Sequence, residues 1–215
     1  MGFGSTRKQS SSFPLHDQVT GGDHAGLSAA AAASVDPDTR VIVGLAPAFG
    51  EAHVVGPAFT VQGVAMDNLP LHRAIATAPA GSVIVAQLTG AGTAGHWGEI
   101  MTRAAQVRGI AGLVLDGSVR DLGALQDLKF PVFHRGTDPR PATKVHAGSL
   151  AVPVALIGTI VRPGDIVVAD LDGISVVDPS RFEAVVEAAR QLAAKEAEIL
   201  RRVADGSTTM DLLRL

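Results

Sequence analysis

The chain has 215 residues, enough for one large domain with an ordinary core but too few for two full-sized domains. Hydrophobic residues make up 47% of it and charged residues 18%, which excludes global disorder; 18 basic against 21 acidic side chains give a formal charge of −3, so attraction to nucleic acid has no global source. There is no cysteine, which excludes disulfides, thiolate metal sites, iron–sulfur clusters and a cysteine nucleophile, and leaves any metal to Asp, Glu, His or carbonyl oxygen.

Residues 1–25 are rich in Ser, Gly and charge and read as a flexible leader without the apolar segment of a secretory signal. Residues 26–215 read as a single domain. The longest uncharged apolar stretch, Leu150 to Val161, is broken by Pro153 and Gly158 and falls well short of the roughly 20 residues a membrane helix needs. A cytoplasmic protein with neither a membrane nor a nucleic acid as partner is expected.

The alanine run Leu27 to Val35 has high helix propensity and predicts a short helix. His53 to Ala65 and Ser82 to Leu88 concentrate Val, Ile, Phe and Thr between Gly and Pro and predict strands, with a helix over Leu69 to Ala78 between them. Glu99 to Arg108 predicts a helix stopped at Gly109, followed by a buried strand Gly112 to Leu115 and a turn at Asp116-Gly117. Ser118 to Leu128 predicts a helix opened by a capping box, Ser118 with Asp121 three residues on, and Phe130 to His134 a further strand. Beyond Lys144 the pattern becomes meandering sheet: Val152 to Val161, Ile166 to Asp170 and Ile174 to Val177, turned at Pro163-Gly164-Asp165 and Asp172-Gly173. A last helix runs from Ser180 to Ala204, with Glu183 completing a second capping box and Gly206 as its stop.

Gly90-Ala91-Gly92-Thr93-Ala94-Gly95 matches a GxGxxG, follows a strand and precedes a helix, with Asp116 about where a ribose-binding acid belongs. Three readings stay open: a nicotinamide cofactor site in an oxidoreductase, a plain glycine-rich turn, and an anion cradle in which amides near Trp97 to Ile100 face a carboxylate or phosphate at the helix's positive end. There is no GxSxG, no GxxxxGK[ST] and no HExxH. His72, His96, His134 and His146 therefore read as core or loop residues, and a zinc hydrolase is disfavoured.

Glu99 and Asp121 open consecutive predicted helices, and Arg120 stands beside Asp121. Two carboxylates and a guanidinium around one glycine cradle suit a hydrated divalent cation bound to an anionic substrate. The same residues also have local uses: Glu99 with Arg103 at i+4, Asp121 in the capping box, Arg120 as a surface charge. On a helical wheel Glu196 falls near the centre of the stripe formed by Phe182, Val185, Val186, Ala189, Ala193, Leu200 and Val203. A carboxylate there needs a partner, either a structural Arg or an active site, including that of a neighbouring subunit.

Gly95-His96-Trp97-Gly98-Glu99, Ala104-Ala105, Arg108-Gly109, Asp116-Gly117-Ser118-Val119-Arg120-Asp121 and Pro131-Val132-Phe133 together resemble the 4-hydroxy-4-methyl-2-oxoglutarate aldolases, a family that also contains the regulator of ribonuclease E activity. Twenty residues separate Glu99 from Arg120-Asp121, the acid-x20-Arg-Asp pattern of the aldolase members. Gly56 to Val61, Asp67-Asn68, Pro163-Gly164-Asp165 and Asp170 to Gly173 extend the resemblance. It implies an α/β fold, a layered αββα sandwich of the swivelling β/β/α type with mixed sheets flanked by helices. It also implies a class II, metal-dependent pyruvate aldolase, a carbon–carbon lyase with oxaloacetate decarboxylation as side activity.

In that resemblance Asp121 anchors magnesium or manganese, Glu99 organises metal-bound water and Arg120 grips the oxo-acid. The segment Gly95, His96, Trp97, Gly98, Glu99 and Ile100 receives the pyruvyl carboxylate, and Glu196 arrives from an adjacent subunit of a homotrimer or hexamer. A non-catalytic, ribonuclease-binding regulator is the less favoured alternative.

Overall fold

A computed structural model describes residue 24 and residues 26–90 and 92–215. The leader expected over residues 1–25 lies outside these, His24 apart.

Four parallel strands form the centre: β3 (Val54–Val64), β4 (Val83–Thr89), β6 (Gly112–Val119) and β7 (Val132–Thr137), adjacent in that order. The connections carry α2 (Leu69–Thr77), α3 (Glu99–Val107) and α4 (Leu122–Leu128). Short β5 (Gly95–Trp97) pairs with the far end of β6, and β2 (Ala46–Pro47) closes the edge beside β7. An antiparallel set, β1 (Arg40–Ile42), β12 (Gly173–Val177) and β11 (Ile166–Asp170), joins through β3. Val54 to Pro57 of β3 pair with β11, and Ala58 to Val64 pair with β4, so one long strand passes from one set to the other. β8 (Ser149–Leu150) lies against β3, and β9 (Val154–Leu156) and β10 (Thr159–Val161) form a hairpin. α1 (Ala29–Val35), α5 (Phe182–Ala204) and α6 (Thr209–Leu213) complete the chain.

The two-residue period of the strands sorts their side chains into layers. On β4, Ile84 and Ala86 enter a cluster with Leu71, Trp97, Met101 and Leu125, beneath α2, α3 and α4. Val83 and Val85 point the opposite way, meeting Val114, Phe133, Val167, Ala169, Ile174 and Val176. Ile166, Val168 and Val177 face outward again, under Leu27 and Ala32 on one side and Phe182, Val185, Val186 and Ala189 of α5 on the other. The order is helices, parallel sheet, antiparallel sheet, helices, which is the αββα layering expected.

Three local expectations fail. Asp116-Gly117 is not a turn: β6 runs on to Val119 with its register to β7 shifted between Leu115 and Ser118, because β5 supplies backbone partners to Ser118 and Val119. Gly117 marks a close approach instead, since a Cβ there would sit 3.2 Å from His96 Nδ1. Ser118 accordingly caps nothing, and α4 begins after Asp121, whose φ of 56° is left-handed. At the other capping box Asp178 caps a 3-10 turn over Pro179–Arg181, accepting from Ser180 N, and α5 starts at Phe182. No described helix is long and apolar enough to cross a membrane.

Candidate active site

The loops leaving the carboxyl ends of β3, β4, β6 and β7 converge, the place where open α/β sheets bind ligands. They enclose a cavity of about 270 Å³ lined by, among others, Asn68, His72, Gly95, Trp97, Gly98, Ile100, Arg120, Asp121 and Lys144.

Asp67, just past β3, ties two of these loops together. Its buried carboxylate accepts from Leu69 N (2.9 Å), Thr143 Oγ1 (2.7 Å), Val145 N (2.6 Å) and His146 N (3.1 Å). Burial alone raises such a pKa, but these bonds outweigh it and hold Asp67 far below the usual carboxylate range. Asn68 N donates to Thr143 O at 2.9 Å, fastening the strap that carries Lys144.

His96 accepts from Met66 N at its Nε2 (3.2 Å), so Nδ1 carries the proton and faces Ser118 O at 3.3 Å. The ring is a neutral brace behind the cavity. Its pKa lies below the ordinary 6.5 because burial outweighs the opposing pull of the Ser118 carbonyl, Asp138 and Asp67. Burial also lowers His134 and His72. The unfolded chain takes up these protons as pH falls through 6.5 while the folded chain resists, so their contribution is complete above 6.5 and is lost below it. The melting temperature is expected to fall between pH 6.5 and 5. His96→Gln, which keeps an acceptor for Met66 N, makes the fall shallower; a flat profile in the unsubstituted protein contradicts the linkage.

Trp97 is fully buried, its Nε1 donating to Thr102 Oγ1 at 2.7 Å and its ring stacked on Phe130 at 6.3 Å. Its indole belongs to the core, and only its backbone is left for the cavity. Gly98 precedes α3 in extended conformation and has no side chain of its own to cap that helix. A Cβ at Gly98 would lie 2.5 Å from Asp121 Oδ2, so the glycine is what lets this carboxylate reach Glu99 N, at 3.2 Å. Gly95 N is already used by Arg140 O at 2.8 Å. In the segment Gly95 to Ile100 the Gly95 and Glu99 amides are thus engaged within the chain, and the first turn of α3, with Ile100, borders the cavity.

Arg120 and Asp121 stand side by side, Nε to Oδ2 at 3.7 Å, both half-exposed to the cavity. Arg120 N donates to Trp97 O at 2.8 Å, joining the two loops. Glu99 sits at the same helix end but pairs with Arg103, at 2.9 Å to Nε and 2.8 Å to Nη2, outside the cavity lining. Glu196 is not brought to them in this chain. It is exposed on α5 beside a second cavity, which shares no lining residue with the first, and only Phe182, Val185, Val186 and Ala189 of the predicted stripe are buried. The wheel reports a face, and among the described residues no member of the predicted stripe beyond Ala189 is buried.

Gly90–Gly95 leads into β5 and not into a helix, so the dinucleotide fingerprint lacks its phosphate-binding helix start. Sequence reasoning does not find Asn68, His72 and Lys144 as site residues. The available signal is positional: Asp67-Asn68 stands one residue past a predicted strand end, Ala65.

Residues 28–176, which include the glycine rim and Arg120-Asp121 but not Glu196, match the family model described as RraA-like, aldolase/RraA. The chain belongs to this family. A Halalkalibacterium halodurans protein named "Putative 4-hydroxy-4-methyl-2-oxoglutarate aldolase" is 36% identical over 172 residues, 80% of this chain and 82% of the relative. The solved structure of an uncharacterised protein from Pseudomonas syringae pv. tomato is 31% identical with a TM-score of 0.76, covering 86% of this chain and 88% of that one. That of Streptomyces coelicolor RraAS2, described as an unusual member of the RNase ES inhibitor RraA family, is 30% identical with a TM-score of 0.69 over 82% and 91%. The family that the glycine rim and the Arg-Asp pair resemble is the family matched.

Proposed function

We propose that this RraA-like protein is a lyase that cleaves a 4-hydroxy-2-oxo acid of the 4-hydroxy-4-methyl-2-oxoglutarate type to pyruvate, with oxaloacetate decarboxylation as a side activity. One observation carries it: a guanidinium and a carboxylate set together at 3.7 Å on the wall of a cavity that also receives the N-terminal turn of α3. The name of the relative at 36% identity supports the same reading.

Arg120 suits the substrate's C1 carboxylate through paired hydrogen bonds, with the first turn of α3 behind it. The family implies a divalent cation. Among the described residues no three His, Asp or Glu side chains gather to hold a metal, so a fully protein-ligated ion does not fit. A largely hydrated magnesium or manganese does, since such ions use one or two carboxylates and several waters. Asp121 would hold it, with Glu99 and Glu196 of a partner subunit as outer carboxylates. Lewis-acid polarisation of the 2-oxo group is the chemistry such an ion supplies when bound.

The chain's own residues then have three tasks. Arg120 fixes the acid so that the C3–C4 bond faces the cavity interior. Water held by the Asp121 carboxylate removes the C4 hydroxyl proton. As C4 becomes a carbonyl, the C3–C4 electron pair passes to the pyruvyl fragment as its enolate, and a proton from water at C3 gives pyruvate.

The exposed Leu200, Val203, Met210, Leu213 and Leu215 at the end of the chain, with Glu196 shortly before them in sequence, support a homotrimer or hexamer. The likeness to Streptomyces RraAS2, a member of an RNase ES inhibitor family, favours a second reading, a regulator that binds a ribonuclease by its surface. Pyruvate release from 4-hydroxy-4-methyl-2-oxoglutarate and oxaloacetate separates them. Release is expected with magnesium or manganese and not with chelator, after subtracting the decarboxylation that free metal promotes. Folded protein that turns over neither compound would overturn the lyase reading, and a preparation sedimenting as a monomer would remove the oligomer.

A further inference from the structure

Asp138, directly after β7, carries a buried carboxylate that lies outside the cavity lining and has no task in the reaction above. Arg140 grips it with Nε at 3.0 Å from Oδ1 and Nη2 at 2.6 Å from Oδ2, and Arg140 N donates to the same Oδ1 at 2.9 Å. Thr93, on the loop between β4 and β5, donates its hydroxyl to Asp138 Oδ2 and accepts from Arg140 Nη2 at 2.7 Å. The three side chains close a clasp between the loop that precedes Gly95 and the turn that follows β7. The Arg140 guanidinium, ahead of the Thr93 hydroxyl, holds the Asp138 carboxyl far below the usual carboxylate range, so the clasp stays charged.

What the clasp grips is the backbone around Gly95. Gly95 N donates to Arg140 O at 2.8 Å, Gly95 bridges to Pro141, and Asp138 N donates to Val119 O at 2.9 Å, beside Arg120 in sequence. A Cβ at Gly95 would lie 2.5 Å from Asp138 O, 2.8 Å from Arg120 Cβ and 3.1 Å from its Cδ; one at Gly98 would lie 3.1 Å from Arg120 Cγ. The aliphatic stem of Arg120 therefore lies across both glycines, and the Asp138 carbonyl closes on the same side of Gly95. The guanidinium itself meets Asp121 only at 3.7 Å, beyond hydrogen-bond range, so its direction is set by what the stem rests on.

We propose that Asp138 is a positioning residue for Arg120: through Arg140 and Thr93 it holds the turn after β7 against Gly95, and the bed so formed keeps the guanidinium turned into the cavity before a substrate arrives. The proposal rests on the oxo-acid reading, in which Arg120 takes the C1 carboxylate, and adds to it the group that orders Arg120 in advance. An arginine already ordered has less side-chain entropy to lose on binding.

The first test is kinetic. Arg120 meets the substrate carboxylate in ground and transition states alike, so loosening it weakens binding uniformly: Asp138→Asn is expected to raise KM for the 4-hydroxy acid about tenfold while kcat stays within about twofold. Thr93→Val, at an exposed position, is expected to raise KM about threefold, and Thr93→Ser, which keeps the hydroxyl, to restore it. Should Asp138→Asn fold poorly by thermal melt, the Thr93 pair carries the same test. In an Arg120→Ala background Asp138→Asn is expected to change KM by less than about twofold, since the group it positions is gone. A further loss in that background, or a fall in kcat with KM unchanged, overturns the positioning role.

The second test needs no turnover. The Arg120 Nε–H NMR signal, assigned by its loss in Arg120→Lys, is expected to show a lower heteronuclear NOE in Asp138→Asn and Thr93→Val than in the unsubstituted protein. An unchanged NOE overturns the proposal even where the oxo-acid reading stands. Turnover of neither oxo-acid overturns that reading, and the NOE then decides this one.

Discussion

Asp121→Asn is expected to lower kcat/KM for pyruvate release about 100- to 1,000-fold while leaving the melting temperature nearly unchanged. The substitution isolates charge from shape. Asp121 holds a left-handed backbone, φ 56°, which asparagine also tolerates. Its Oδ2 accepts from Glu99 N at 3.2 Å, a bond that an amide oxygen can still make. What disappears is the only carboxylate lining the cavity among the described residues, and with it the group that would hold a hydrated cation. Asp121→Ala is the less clean experiment, because alanine at this φ adds roughly 1–2 kcal/mol of strain. The loss should appear in kcat as well as in KM, and higher magnesium should not restore it fully. Activity within twofold of the unsubstituted protein would show that Asp121 has no part in the chemistry.

The elements legible in the sequence are those in which one physical rule acts alone. β4 alternates Val83, Ile84, Val85 and Ala86 between two cores, and α3 opens after a glycine and stops at Gly109, so strand and helix are both readable. Where two rules compete, local pattern loses. Ser118 and Asp121 have capping-box spacing, but Ser118 pairs with Gly95 of a strand that comes more than twenty residues earlier. Such a pairing has no local signature. β3 likewise reads as one strand, and nothing in its composition marks Ala58 as the point where its partner changes from β11 to β4.

The candidate site divides the same way. Glu99 and Arg120-Asp121 are legible because their spacing carries the family pattern. Asn68, His72 and Lys144 are not, because they are brought together by the strap that Asp67 pins across 76 to 79 positions of sequence. Glu196 shows the converse failure. Its place on an amphipathic wheel is readable, but amphipathicity names a face without naming what covers it, and among the described residues the buried part ends at Ala189.

Trp97→Ala is expected to destabilise the protein by about 3–5 kcal/mol, the usual scale for emptying a fully buried aromatic site. Far-ultraviolet circular dichroism is the readout, since Trp97 is the only tryptophan and its fluorescence goes with it. Trp97→Phe separates the components of that loss. Phenylalanine keeps the stack on Phe130 but leaves a smaller void and an unpaired Thr102 hydroxyl, for about 1–3 kcal/mol. The functional effect follows from what the indole holds. Thr102, its hydrogen-bond partner, lies in the first turn of α3 and donates its backbone N to Gly98 O at 3.0 Å, while Trp97 O receives Arg120 N. One buried ring therefore ties the cavity-facing helix end to the loop carrying Arg120 and Asp121. Trp97→Phe should raise KM for the oxo-acid at temperatures where the variant is still fully folded. An unchanged KM in a destabilised variant would mean that the rim keeps its shape without the Trp97–Thr102 bond, and that rigidity at this end of the sheet comes from the Asp67 strap instead.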